Sequence, residues 1–171
     1  MFGLLCAAVL TIGADGAPAP KVQVYILAGQ SNMEGHGQVR SLHRLGEHPE
    51  HGHRFELLKD AAGDWSVRDD VTIAWASKSP SHGPLTVGWG RSEREVGPEL
   101  LFGVIMGEHH DAPVLLIKTA WGGKDVYCDF RSPGAGSPGE DEAALLAKQA
   151  SNGNVREQGA YYRLMVSEIT D

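Results

Sequence analysis

Two short runs of near-continuous apolarity stand out from an otherwise mixed chain. Lys21 to Ala28 (KVQVYILA) ends in Gly29, and Pro113 to Thr119 (PVLLIKT) ends in Ala120-Trp121-Gly122-Gly123. Runs this short, rich in Val, Ile and Leu, predict strands covered on both faces, as in a parallel sheet. Between them, Val96-Gly97-Pro98-Glu99 opens a helical pattern that reaches about His110. Pro98 suits a first helical turn, and Leu100, Leu101, Val104 and Ile105 then fall on one face. Strand, helix and strand together predict a right-handed crossover.

The remaining segments read less regularly. Arg54 to Val71 predicts an inserted hairpin, with Phe55-Glu56-Leu57-Leu58 and Trp65-Ser66-Val67 flanking the turn-like Asp60 to Asp64. Ser77 to Arg91 and Ser132 to Gly139, rich in Ser, Pro and Gly, predict surface loops. Arg156 to Ile169 is helical in pattern, with Tyr161, Leu164, Met165 and Ile169 on one face. Such a helix normally returns into a further strand. Two buried strands are also fewer than the roughly four to six of an open sheet, so the reading expects the sheet to continue beyond Asp171.

Composition narrows the class. The chain has 171 residues, 42% hydrophobic and 22% charged, which suits one globular domain with a real core. Its net charge of -7 carries no Lys/Arg stripe, so a nucleic-acid partner is not expected. Phe2 to Ile12 is apolar but too short to span a bilayer, and small, turn-prone residues follow from Gly13 to Pro20. Residues 1–20 therefore read as a signal peptide or short apolar leader, although no Lys or Arg precedes the run. The expectation is a secreted or periplasmic protein without stable membrane insertion, its domain covering residues 21–171. Cys6 lies in that leader, so the remaining Cys128 has no partner for a disulfide and reads as a plain buried thiol.

The most informative stretch is Val24-Tyr25-Ile26-Leu27-Ala28-Gly29-Gln30-Ser31-Asn32-Met33-Glu34-Gly35. A strand runs into a glycine, and a serine follows two residues later. At the carboxyl end of a parallel strand, the next turn lies in the crevice where α/β proteins bind ligands. A helix starting near Ser31 would aim free backbone N–H groups at whatever Ser31 attacks. Met33 stands where the G-x-S-x-G elbow requires its second glycine, so that motif is excluded.

The block Gly29-Gln30-Ser31-Asn32-Met33, directly after an apolar strand, resembles the first sequence block of the SGNH hydrolases. The form is that of carbohydrate esterase family 6 and sialate O-acetylesterase-like proteins. Val96 to Gly103 and Leu115 to Gly123 resemble two further stretches of that family. The resemblance implies an α/β fold, a three-layer α/β/α sandwich around a mostly parallel sheet (SGNH or flavodoxin-like). It implies hydrolysis of acetyl esters on carbohydrates through an acetyl-enzyme, with no metal or organic cofactor. Ser31 would be the nucleophile. Gly123, or Gly122 as the alternative, would donate a backbone N–H to the oxyanion hole. Gln30, Asn32 and Trp121 are the expected substrate contacts.

The family carries its Asp and His in a late D-x-x-H block, and no D-x-x-H occurs in this sequence. Serine is a poor nucleophile without such a base. The expectation is that the base lies downstream and that these 171 residues turn over weakly. His36, five residues after Ser31, makes an awkward local pair with it, and His82 in the Ser/Pro/Gly loop could face the substrate; His109 and His110, at a helix end, suit a capping or surface role. His43, His48, His51 and His53 crowd one segment, but Pro49 and Gly52 break the spacing a metal site would need. Trp75, Trp89, Trp121 and Tyr127 are aromatic candidates for sugar contact or for packing. The rival reading is a non-catalytic carbohydrate-binding relic of the same fold.

Overall fold

A computed structural model describes residues 21–153 and 155–170; the apolar leader lies outside the described residues. The elements in chain order are β1 (Gln23–Gly29), α1 (Ser31–Glu34), β2 (Gly37–Gln38), α2 (His43–Gly46), β3 (Arg68–Ala74), β4 (His82–Leu85), β5 (Glu95–Val96), α3 (Glu99–His109), β6 (Val114–Ala120), α4 (Glu140–Ser151) and α5 (Ala160–Thr170). The main sheet has the order β1-β6-β3-β4. The first three strands run parallel and β4 closes one edge antiparallel to β3. This is an α/β fold around a mostly parallel sheet, as expected.

The crossover from β3 through α3 to β6 builds the core. Val71, Ile73, Leu116 and Leu85 are fully buried, and Val114 nearly so. Leu100 and Val104 of α3 join the same cluster. Side chains alternate across a strand, so Tyr25 and Leu27 of β1 reach this layer while Val24 and Ile26 take the other face. Tyr25 stacks edge-on against Phe102 and hydrogen-bonds the His110 ring through its hydroxyl, 2.7 Å. His110 is the C-cap of α3, its N–H donating to the Met106 carbonyl, and the Tyr25 contact ties that helix end to β1.

α3 covers one face; α5 touches β6. Val22, Val24 and Ile26 stay about half exposed, at 50%, 52% and 51%. Cover on both faces therefore holds for β6 but not for β1: among the described residues, α3 and α5 pack against β6, while the Val24 and Ile26 face of β1 stays open.

The hairpin expected over Arg54 to Val71 is corrected. Gly52–Leu58 is a 3-10 helix, and a single bridge, Lys59 to Trp65, remains of the pairing. The turn itself forms: the Asp60 carboxylate accepts the N–H groups of Ala62 and Asp64, both at 2.9 Å. The strand starts later, at Arg68, and its partner β4 falls inside the expected loop Ser77 to Arg91. α4 was also not foreseen, and α5 begins at Ala160 rather than Arg156. Cys128 is buried, and desolvation pushes its thiol pKa up. Among the described residues, no helix is long and apolar enough to cross a membrane.

Candidate active site

β1 and β6 pair in parallel and in step, from Gln23 opposite Val114 to Gly29 opposite Ala120. Their carboxyl ends therefore emerge side by side. The Trp121 N–H donates to the Gly29 carbonyl at 3.2 Å and carries the pairing one residue past the strand ends. The chain then opens into Gln30-Ser31 on one side and Gly122-Gly123 on the other.

Ser31 begins α1, a single turn. Met33 and Glu34 donate to the Gln30 carbonyl, both at 2.8 Å, and Gly35 donates to the Ser31 carbonyl at 3.1 Å. The N–H groups of Ser31 and Asn32, in the first turn, have no intrahelical acceptor. Ser31 is partly buried and lines an open cleft of about 360 Å³ together with Glu34, His36, Arg91, Gly122 and Gly123. Ser31 and both candidate oxyanion glycines thus share one space.

The glycines differ in their surroundings. Gly123 has φ +72°, a left-handed backbone that a side chain resists, and open space where a Cβ would stand. A Cβ on Gly122 would lie 2.7 Å from the Glu34 carboxylate. Glu34 also lies 3.8 Å from His36 Nε2, while His36 Nδ1 lies 3.7 Å from Glu95 Oε1. Glu95 accepts from the Ser92 hydroxyl at 2.7 Å and from Gln38 at 3.1 Å; the Ser92 bond holds its carboxyl below the usual range. The His36 ring thus stands between the Glu34 and Glu95 carboxylates, beyond hydrogen-bond distance of either. Among the described residues, no histidine is hydrogen-bonded to the Ser31 hydroxyl.

Three expected substrate contacts fall elsewhere. Gln30 and Asn32 are exposed and do not line this cleft. Trp121 packs between Phe130 and Tyr161, with ring centroids 6.0 and 5.3 Å away. Trp121 is partly buried and does not line the Ser31 cleft. Trp75 and Trp89 are core residues, and His82 is exposed on β4. The histidine-rich segment stacks His48 on His51 at 4.8 Å. Among the described residues there is no group of three or more His, Cys, Asp or Glu side chains placed to hold a metal ion.

Glu34 and Arg91 were missed as members of the cleft. Glu34 stands three residues after Ser31, one helical turn on, which was the available signal. Arg91 reaches the site through its loop, whose N–H donates to the Gly35 carbonyl at 3.0 Å. Nothing local marks that contact. Gly123 also borders a second, polar cleft lined by Lys124, Asp129, Arg156, Glu157 and Tyr161.

A family model described as carbohydrate esterase, sialic acid-specific acetylesterase, matches residues 21–149, about three quarters of the chain. No curated protein and no solved structure gives a match.

Proposed function

Because the chain belongs to the carbohydrate esterase, sialic acid-specific acetylesterase family, we propose that Ser31 is the nucleophile of a carbohydrate O-acetylesterase. The observation that carries this reading is the shared cleft of Ser31, Gly122 and Gly123 at the carboxyl ends of two adjacent parallel strands. Ser31 Oγ attacks the acetyl carbonyl carbon, and the carbonyl π electrons move onto its oxygen. Backbone N–H groups of Ser31 and Gly123 hold that oxyanion. The oxyanion then collapses, the C–O bond to the sugar breaks, and the proton that a base took from the Ser31 hydroxyl passes to the sugar oxygen; acetyl-Ser31 remains until water, deprotonated by the same base, hydrolyses it to acetate. The second cleft, reached across Gly123, supplies Lys124, Glu157 and the Tyr161 ring for the sugar body. Gly123 is taken as the oxyanion donor because its left-handed turn leaves open space above its backbone, with Gly122 as the alternative.

The base is a separate matter. His36 lines the same cleft as Ser31 but is not hydrogen-bonded to it, and the sequence holds no D-x-x-H. With no base hydrogen-bonded to Ser31, the expected rate is low and an added imidazole raises it, general-base assistance being worth roughly 10²–10⁴-fold. The apolar run Phe2 to Ile12 supports export to an acetylated polysaccharide outside the cell.

The test compares the chain with Ser31→Ala on p-nitrophenyl acetate and on acetylated xylan, with and without imidazole. The expected result is a Ser31-dependent rate that imidazole raises, with an acetyl group trapped on the Ser31 peptide by mass spectrometry. Equal rates for the two proteins under all conditions would remove Ser31 from the chemistry. Binding of acetylated xylan without any Ser31-dependent rate would favour the non-catalytic reading.

A further inference from the structure

Lys118 interrupts the apolar β6, yet its side chain is fully buried, as is its partner Glu99. An ammonium has three donors, and all three are used. Nζ lies 2.9 Å from Glu99 Oε2, 2.7 Å from the Trp89 carbonyl and 2.9 Å from the Glu34 carbonyl. The Trp75 ring centroid lies 4.3 Å away. The other Glu99 oxygen accepts the Gly97 N–H at 2.7 Å, so the carboxylate is also satisfied.

Those three acceptors belong to three separate pieces of the chain, two of which lead into the cleft. Glu34 ends the turn that Ser31 begins. Trp89 precedes Arg91, which lines the cleft, and Glu99 opens α3. Lys118 itself stands four residues before Gly122 on the strand that delivers the glycines. A four-residue helix cannot hold itself in water, because nucleation alone costs more than one turn returns. Its last carbonyls also lack intrahelical donors. Here one of them is answered by a buried cation anchored on β6.

We infer that Lys118 is a positioning residue, one that sets the Ser31 turn and the Gly122-Gly123 turn at a fixed separation by binding the Glu34 carbonyl. The inference rests on the proposed role of Ser31. Glu99 holds the ammonium in place, and Trp89 extends the same control to the Arg91 loop.

Lys118→Met alone would leave a buried carboxylate unpaired and disrupt folding. The informative variant is therefore Lys118→Met/Glu99→Gln, which removes both charges and keeps an acceptor for Gly97. Leu116→Ala, which lowers stability from the same strand without touching the ammonium, is the control. Two readouts are taken on each: hydrogen exchange of the Met33, Glu34 and Gly35 amides, and kcat and KM for p-nitrophenyl acetate with imidazole.

In the paired variant these three amides should exchange about tenfold or more faster, relative to core amides, than in Leu116→Ala. The kcat should fall by roughly 10²-fold with KM changed little, the signature of misplaced reacting groups. Unchanged exchange at α1 would overturn the inference. Faster exchange with an unchanged kcat would overturn its catalytic part. Should the unmodified chain show no Ser31-dependent rate, the proposed function falls, and the exchange readout alone still decides whether Lys118 holds the turn.

Discussion

β1 and β6 are seven-residue neighbours, paired in parallel without a shift, and each ends in a turn that enters the cleft. Their burial nevertheless differs sharply. β6 lies between β1 and β3, and none of its residues is exposed. β1 has one buried residue, Leu27, while Val24 and Ile26 stand about half exposed. Hydrophobicity along a strand thus measures its capacity for burial; its position in the sheet decides how much of that capacity is used. The site joins one strand of each kind. The sealed strand contributes the glycine turn and the buried Lys118, and the edge strand contributes Ser31.

The largest expected effect comes from the sealed strand. Leu116→Ala should cost about 2–5 kcal/mol in urea unfolding, because a fully buried leucine leaves a cavity between α3 and the sheet. A cost below about 1 kcal/mol would mean that β6 is not the centre of the core. Next comes its turn. Gly123→Ala should cost about 1–2 kcal/mol, since alanine resists the left-handed backbone at φ +72° while meeting no neighbour. If Gly123 serves the oxyanion, kcat should fall by more than the stability loss explains.

The edge strand should respond less. Ile26→Ala removes a side chain already half in water and should cost below about 1 kcal/mol. A loss equal to that of Leu116→Ala would show that this face is covered in solution, and the contrast between the strands would break.

The smallest effect belongs to the opposite end of the sheet. There Arg68 is held by Asp70, at 2.6–2.7 Å, and by Glu108. The Arg68 hydrogen bonds hold the Asp70 carboxyl below its ordinary pKa. Its stabilisation is therefore present above the unfolded-state value near about 4 and is lost as pH falls through the lower, folded-state value. Asp70→Asn should lower stability at pH 7 by at most about 0.5 kcal/mol, the pair being partly exposed. That difference should vanish in acid melts, and a difference that persists there would assign the effect to packing instead of charge.

Much of this architecture is legible in residue order. KVQVYILA, PVLLIKT and the Pro98-led helix identify themselves through runs and punctuation that act within a few residues. The strand-Gly-x-Ser and strand-x-Trp-Gly-Gly turns do so as well. β3 escaped notice because Arg68, Asp69 and Asp70 open it and only Val71 and Ile73 alternate inward. α4 is half apolar, but all except Leu145 and Leu146 of that half are alanines and none of its residues is buried. The aromatic residue nearest the glycines drew attention as a sugar platform, but the meeting of Trp121 with Phe130 and Tyr161 turned it into packing.

Local order alone thus set where β1, α3 and β6 run, and that a serine and a glycine pair sit at strand ends. Only the folded arrangement decided that those two ends open on one cleft, that Lys118 meets Glu99 from the next element back, and that β1 lies at an edge. Turn chemistry and strand preference depend on neighbours in the chain, so residue order carries them. Burial, ion pairing and the approach of Glu34 to Gly122 depend on which distant segments meet, and that is settled by the packing of the whole sheet.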